Sequence, residues 1–377
     1  MGRSALRAAP LPLIEGSDMT TTTATAPAQK PVRRRAAGGA LWRYLLVRFL
    51  LIFPTVLILV TLVFLFMRTT GDPITAAQGG RLPPDVLAER IEEAGYNRPL
   101  WIQYLEYLGQ VFTGNFGRTL SDNQLVTDVL FRYGSATLEL AFYSLIVAFV
   151  VGIPLGMLAG YLRDRWPDAV LRVFAILCYA TPVFFAGLVL KLIFSVWLHV
   201  LPSSGRASPR NEVQLSRVQD PTGIYLVDAI RLGNWSMLGD VLVHAVLPAI
   251  ALGLLTAGVF LRLVRTNIIG TLSMPYIEAA RSRGVSEFRL VRRHAYKPAL
   301  IPIITVIGLQ IAMLLGGAVL TETTFEWKGL GFQLAGYLQA RDFVAVQGIV
   351  ALLAVIVAVT NFIVDVIAAL IDPRVRY

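Results

Sequence analysis

Uncharged apolar stretches about one bilayer thick recur six times along this chain, at 49–67, 140–162, 173–190, 245–261, 299–320 and 343–364. A helix needs about 20 such residues to cross a hydrocarbon core of roughly 30 Å. With their apolar flanks the runs predict spans at about 46–67, 137–162, 173–198, 242–264, 299–321 and 343–366. The third includes Lys191, which can snorkel toward a surface. The expectation is an all-α integral membrane protein with six transmembrane helices.

The connections differ in charge, and in a membrane protein that difference sets orientation. Residues 1–48 carry eight basic and two acidic side chains, 163–172 three and two, and 262–298 eight and two. In contrast, 69–134 carries five basic and eight acidic, and 321–342 two and three. The basic connections are therefore expected on the cytoplasmic side with both termini, and the segments at about 69–134, 199–240 and 322–342 outside. Residues 1–41 lack the 7–15-residue apolar core of a cleavable signal peptide. They read as a disordered cytoplasmic extension in front of one membrane domain, 42–377, with Met19 as an alternative start.

Punctuation inside the runs adds detail. Pro54, Pro154, Pro182, Pro248 and Pro302 fall in five of the six, where neighbouring helices can satisfy the backbone groups that proline frees. Gly152, Gly156 and Gly160 line one face of the second span, either as a close helix-packing face or as lining of a transport pathway.

Composition agrees with the pattern. The chain of 377 residues is 55% hydrophobic and 15% charged, against about 45–50% and 25% in a soluble domain. A net charge of +10 would suit nucleic acid in a soluble protein, but its concentration on one face points to the lipid bilayer and to no nucleic acid. One cysteine, Cys178, excludes a disulfide within the chain, and His199, His244 and His294 are too few for a histidine metal cluster. No metal site is expected.

Energy-coupling and catalytic chemistry are missing too. A P-loop needs Gly before its Lys, whereas the four lysines follow Gln29, Leu190, Tyr296 and Trp327. A proton-driven carrier would place acids or His near the midplane, whereas Glu139 and His244 stand at span ends. No H-E-x-x-H or G-x-S-x-G is present, and pairs such as Glu92 and Glu93 read as solvated surface. The chain is expected to be no enzyme, with its energy supplied by a partner.

One connection, at about 266–298, carries a distinctive pattern. Ser273 and Pro275 predict a helix start, with the helix running to Arg283 and Gly284 closing it in the left-handed conformation. Ser286 is expected to cap a second short helix reaching His294, with Pro298 opening the fifth span. Two readings follow. Ala279 and Ala280 allow another surface to approach closely, with Glu278 as a polar anchor; alternatively the pair lies on the membrane with Arg281, Arg283, Arg289, Arg292 and Arg293 on lipid phosphates.

The spacing Glu278-Ala279-Ala280 to Gly284, with His294 ten residues on, resembles the cytoplasmic EAA loop of ABC importer permeases. The wider text is similar to the first permease subunit of the dipeptide, oligopeptide and nickel importer family. The similar stretches are GDP at 71–73, NRPLWIQY at 97–104, GNFGRT at 114–119, ATLELA at 136–141, LPSSG at 201–205, ETTFEWKGLG at 322–331, ARDF at 340–343 and DPRVRY at 372–377. The resemblance covers about 42–377. Two departures are visible: Gln124-Leu125-Val126, where the family commonly has Pro before Val, and Trp327-Lys328-Gly329, where it has Trp-Pro-Gly.

The resemblance implies a type I ABC importer permease fold with a cytoplasmic coupling helix pair. It implies an ATPase-coupling set of Glu278, Ala279, Ala280, Arg281, Gly284 and His294. It further implies a homologous second permease, two ATPase subunits or one fused ATPase carrying ATP and Mg, no cofactor in this chain, and a solute-binding protein outside the bacterial inner membrane. The implied cargo is di- or oligopeptide, with nickel, haem or another peptide-like cargo as the alternative. A secondary transporter and a membrane-embedded enzyme are the rivals disfavoured by the missing charges and motifs.

Overall fold

The computed structural model describes residues 37–69, 71–78, 80 and 82–371. The expected extension lies outside the described residues up to 36, as does the stretch 372–377; residues 37–41, expected within the extension, are helical.

Among the described residues fifteen helices follow in order: α1 (Ala37–Thr69), α2 (Pro73–Gln78), α3 (Pro84–Glu93), α4 (Leu100–Thr113), α5 (Val126–Tyr161), α6 (Trp166–Ala180), α7 (Val183–Leu190), α8 (Pro209–Ser216), α9 (Tyr225–Arg231), α10 (Trp235–Leu272), α11 (Pro275–Ser282), α12 (Glu287–Arg289), α13 (Tyr296–Phe325), α14 (Leu330–Gln339) and α15 (Phe343–Ile371). Wider π-helical turns, Lys191–Trp197 and Leu290–Ala295, extend α7 and join α12 to α13. No strand occurs among the described residues, only an isolated bridge between Arg118 and Leu125.

Among the described residues, helices α1, α5, α10, α13 and α15 each contain a stretch long and apolar enough to cross a bilayer, and α6 with α7 has that length and composition only as a pair, bent by 107°. The single run expected at 173–198 is thus two arms, the first starting at 166. Proline disfavours the α conformation in the residue before it, and Thr181 is extended, with φ −79° and ψ 125°. Pro182 then starts α7, whereas Pro54, Pro154, Pro248 and Pro302 sit inside unbroken helices. Lys191, beyond the bend, donates to the Thr324 carbonyl at 2.8 Å and covers the Phe325 ring. It ties α7 to the C-terminal end of α13, whose last carbonyls lack helical partners.

The centre of the bundle is α10, which packs against α5, α13, α6 and α7. Its 38 residues extend roughly 57 Å, so its ends stand clear of a hydrocarbon core. Each side of the bundle has its own set of contacts. On one, Tyr161 at the end of α5 meets Phe288 of α12 at 6.0 Å, Asp168 of α6 meets Arg265 near the end of α10, and Arg48 of α1 meets Asp365 of α15. On the other, Met67, Val126, Leu130, Leu330, Tyr337 and Phe343 share one core, and Ala207, Leu215, Ala229, Met237 and Val241 another. The connections richest in Arg therefore lie on the side opposite α2, α8 and α14.

Candidate functional site

The α11–α12 pair is held by backbone geometry. Pro275 occupies the first helical position of α11, where its missing N–H costs nothing and its φ suits the helix. The cap residue is Met274, not the expected Ser273, whose hydroxyl instead donates to the Gly270 carbonyl at 2.8 Å. Ile277 is fully buried and anchors the inner face of α11.

The exit of α11 is a Schellman turn. Gly284 N–H donates to Arg281 O at 2.9 Å, and Val285 N–H to Ala280 O at 3.3 Å. This closure needs a left-handed residue, and Gly284 has φ +81°, a conformation costly for side chains with a Cβ. The helix ends at Ser282, one residue before the expected Arg283.

With that turn made, Glu278, Ala279 and Arg281 are exposed and Ala280 is half-buried. Arg281 forks onto Glu287 at 2.5 and 3.3 Å, clamping α11 to α12. The hydrogen-bonded pair holds Glu287 below the usual carboxylate range and raises Arg281. Ser286 stands at the cap of α12 but makes no side-chain cap bond.

Beyond α12 the helix does not stop, and Pro298 opens nothing: the wide turn Leu290–Ala295 leads directly into α13. In a regular helix the Pro298 ring would press on the carbonyl of residue 294, and the wider turn precedes that position. His294 lies in this turn, half-buried with Nδ1 unpartnered.

The three glycines of α5 face α10. A Cβ on Gly152 would lie 2.7 Å from the Ala257 carbonyl oxygen, one on Gly156 2.7 Å from Val264 Cβ, and one on Gly160 2.7 Å from Ile268 Cγ2. A Cβ on Gly253 of α10 would lie equally close to the Ser144 carbonyl oxygen, at 2.6 Å. The two helices run parallel with their backbones nearly touching, a packing face of small residues.

Residues 152–377 match the family model described as binding-protein-dependent transport system inner membrane component, and 41–134 match its N-terminal companion. The chain is also 36% identical to the dipeptide transport system permease protein DppB of Escherichia coli K12 over 337 residues, covering 89% of this chain and 99% of that protein. Identity to the di/tripeptide permease DppB of Pseudomonas aeruginosa is 35% over 329 residues, covering 87% and 96%. For the glutathione permease GsiC of Salmonella choleraesuis it is 33% over 335 residues, covering 89% and 99%. The chain belongs to the binding-protein-dependent transport system inner membrane component family. It is a multi-pass ABC importer permease, and its bundle is of the type I permease fold.

The permease also contains a polar knot that the runs of apolar residues concealed. Glu139, expected at a span end, lies well inside α5 at 3% exposure. It pairs with Arg206 and accepts from Tyr143 Oη and Leu226 N–H, both at 2.9 Å. The Arg206 guanidinium lies 3.6 Å over the Tyr225 ring and 5.5 Å from that of Trp327. Glu322 of α13, fully buried, accepts from Thr137 Oγ1 at 2.7 Å and Phe332 N–H at 2.9 Å, while Trp327 Nε1 donates to Ala136 O. Gly205 N–H donates to Phe325 O at 2.9 Å. Three stretches of the resemblance, ATLELA, LPSSG and ETTFEWKGLG, thus converge here. Lys328, where the resemblance implied Pro, reaches Glu212 at 2.9 Å, a bond proline cannot make; the pairing raises Lys328 above the usual ammonium range.

Proposed function

We propose that this permease forms half of the membrane pathway of an ATP-driven importer and that α11 is the surface pressed into an ATPase. The observation that carries this is the exposed Glu278-Ala279 face of a short helix whose exit is closed at Gly284 and whose flank is clamped by Arg281 to Glu287. Small residues let a partner groove approach closely, and Glu278 is free to anchor it. A homologous second permease completes the pathway, and ATP and Mg reside on two ATPase subunits or one fused ATPase. The chain itself hydrolyses nothing and holds no cofactor. The names of its relatives support di- or oligopeptides as cargo, delivered by an extracytoplasmic solute-binding protein.

Mechanically, a push on α11 passes through the Arg281–Glu287 clamp into α12, and from there along the continuous helical path into α13. At its far end α13 carries Glu322, which holds the turn leading to α14. Closure of the ATPases would thus move one lever from the docking face to the opposite side of the membrane, reorienting the pathway.

The charge distribution supports a cytoplasmic α11–α12 side with both termini. In a Cys178→Ser background, Asp85→Cys and Arg210→Cys should react with an impermeant thiol reagent on intact spheroplasts; reaction only after permeabilisation would reverse the orientation.

The coupling assignment is tested at the turn and on the face. Gly284→Val should strain the closure by about 1–2 kcal/mol and misaim α11, and Ala280→Trp should block close approach. Both variants should reach the membrane yet lose ATPase association, with binding-protein-stimulated ATP hydrolysis and uptake falling together. Normal association and uptake in both would return the pair to the lipid interface, where neutralising Arg289, Arg292 and Arg293 would dominate.

A further inference from the structure

A groove between α6 and α10 has the chemistry of a lipid site. The two helices are antiparallel: Asp168 meets Arg265 at one end, and a Cβ on Gly258 would lie 2.9 Å from the Ala175 carbonyl further along. That close approach leaves a trough of about 290 Å³. Its floor is Ala175, Gly258 and Leu261, all buried, and its sides include Ile176 and Tyr179, each 63% exposed.

Arg172, Arg262 and Arg265 close one end. Arg265 is already spent on Asp168, to which it donates twice, at 2.6 and 2.7 Å, and the fully buried Asp168 also accepts from Asp164 N–H. Arg172 stands 3.8 Å from the same carboxylate and is half exposed. Arg262 is exposed and has no acidic partner among the described residues. Two of the three guanidinium groups therefore meet one carboxylate and the third meets none, leaving two positive charges at the mouth of an apolar trough.

Such a site asks for a ligand with an anionic head and a hydrocarbon tail. The geometry points to one anionic phospholipid, its phosphate between Arg172 and Arg262 and an acyl chain along Ala175, Ile176, Tyr179 and Val259. Basic pockets between transmembrane helices favour anionic headgroups for this reason. Zwitterionic phosphatidylcholine offers the same tails and no net charge. The assignment holds for either orientation of the bundle and does not depend on what α11 docks.

The test uses the complete transporter in nanodiscs containing phosphatidylcholine and phosphatidylglycerol, with a photoactivatable acyl chain on one lipid or the other. Phosphatidylglycerol should crosslink to the peptides containing Ile176, Tyr179 and Val259 in clear excess over phosphatidylcholine. Arg262→Gln should cut that excess about fivefold, and Arg172→Gln with Arg262→Gln should bring it to the phosphatidylcholine level. Both substitutions leave the Asp168–Arg265 pair intact, and unchanged gel-filtration elution would verify folding. Equal crosslinking of both headgroups to the unaltered protein, or an excess that survives the double substitution, overturns the proposal. So does crosslinking that occurs in the isolated chain and vanishes in the complete transporter, because a sister subunit then covers the groove.

Discussion

Arg206→Met is expected to destabilise the purified permease by about 3–5 kcal/mol, read as a large fall in its thermal midpoint, because it strands a buried carboxylate. Glu139 is 3% exposed and Arg206 4%, so water cannot replace the lost partner. Methionine fills much of the volume over Tyr225 but cannot answer the charge. Gly223 O, which Arg206 also serves at 2.9 Å, loses a donor as well.

A double substitution separates charge from packing. Glu139→Gln keeps a carbonyl that can accept from Leu226 N–H while removing the charge that Arg206 balances. Glu139→Gln with Arg206→Met should therefore be more stable than Arg206→Met alone, although it carries one more change. Buried pairs behave this way because loss of one partner costs more than loss of both. If the two single effects simply add in the double variant, the pair is not what binds the segment around Tyr225 to α5.

How much of this was readable from the chain follows from the range of each interaction. The long helices were legible because some 20 apolar residues in a row have few other uses. The turn at Gly284 was legible because a Schellman closure involves residues within one helical turn. Other local features were not. Ser273 has the chemistry of a cap, yet its hydroxyl serves the end of α10 and Met274 takes the cap position. Pro182 breaks its span while Pro154 and Pro248 do not, and the five prolines look alike in sequence.

The burial of Glu139 was not legible because Asp128 and Arg132 interrupt the apolar run, although the helix starts at Val126. Its partner Arg206 lies 67 residues away, and Thr137 meets Glu322 across 185. No periodicity spans such separations. The signal that existed was the resemblance in three short stretches, whose common purpose appeared only when the fold brought them together.

The parallel packing of α5 on α10 leads to the second large effect. Gly156→Ala should destabilise the permease by about 1–3 kcal/mol, and Gly156→Leu by more. The added Cβ would stand 2.7 Å from Val264 Cβ and 2.8 Å from the Leu261 carbonyl oxygen. Val264 and Leu261 are both buried, and a backbone carbonyl inside a 38-residue helix cannot step aside alone. Val264→Gly added to Gly156→Ala should therefore restore only part of the loss, since it removes one obstruction and leaves the other. Gly239→Ala supplies the contrast: it lies in the same α10 with nothing within 4 Å of a new Cβ. Alanine there should be neutral or stabilise by about 0.5–1 kcal/mol through helix propensity alone. If thermal unfolding finds Gly156→Ala and Gly239→Ala equally harmless, α5 and α10 are not in backbone contact, and the row at Gly152, Gly156 and Gly160 must serve something other than packing.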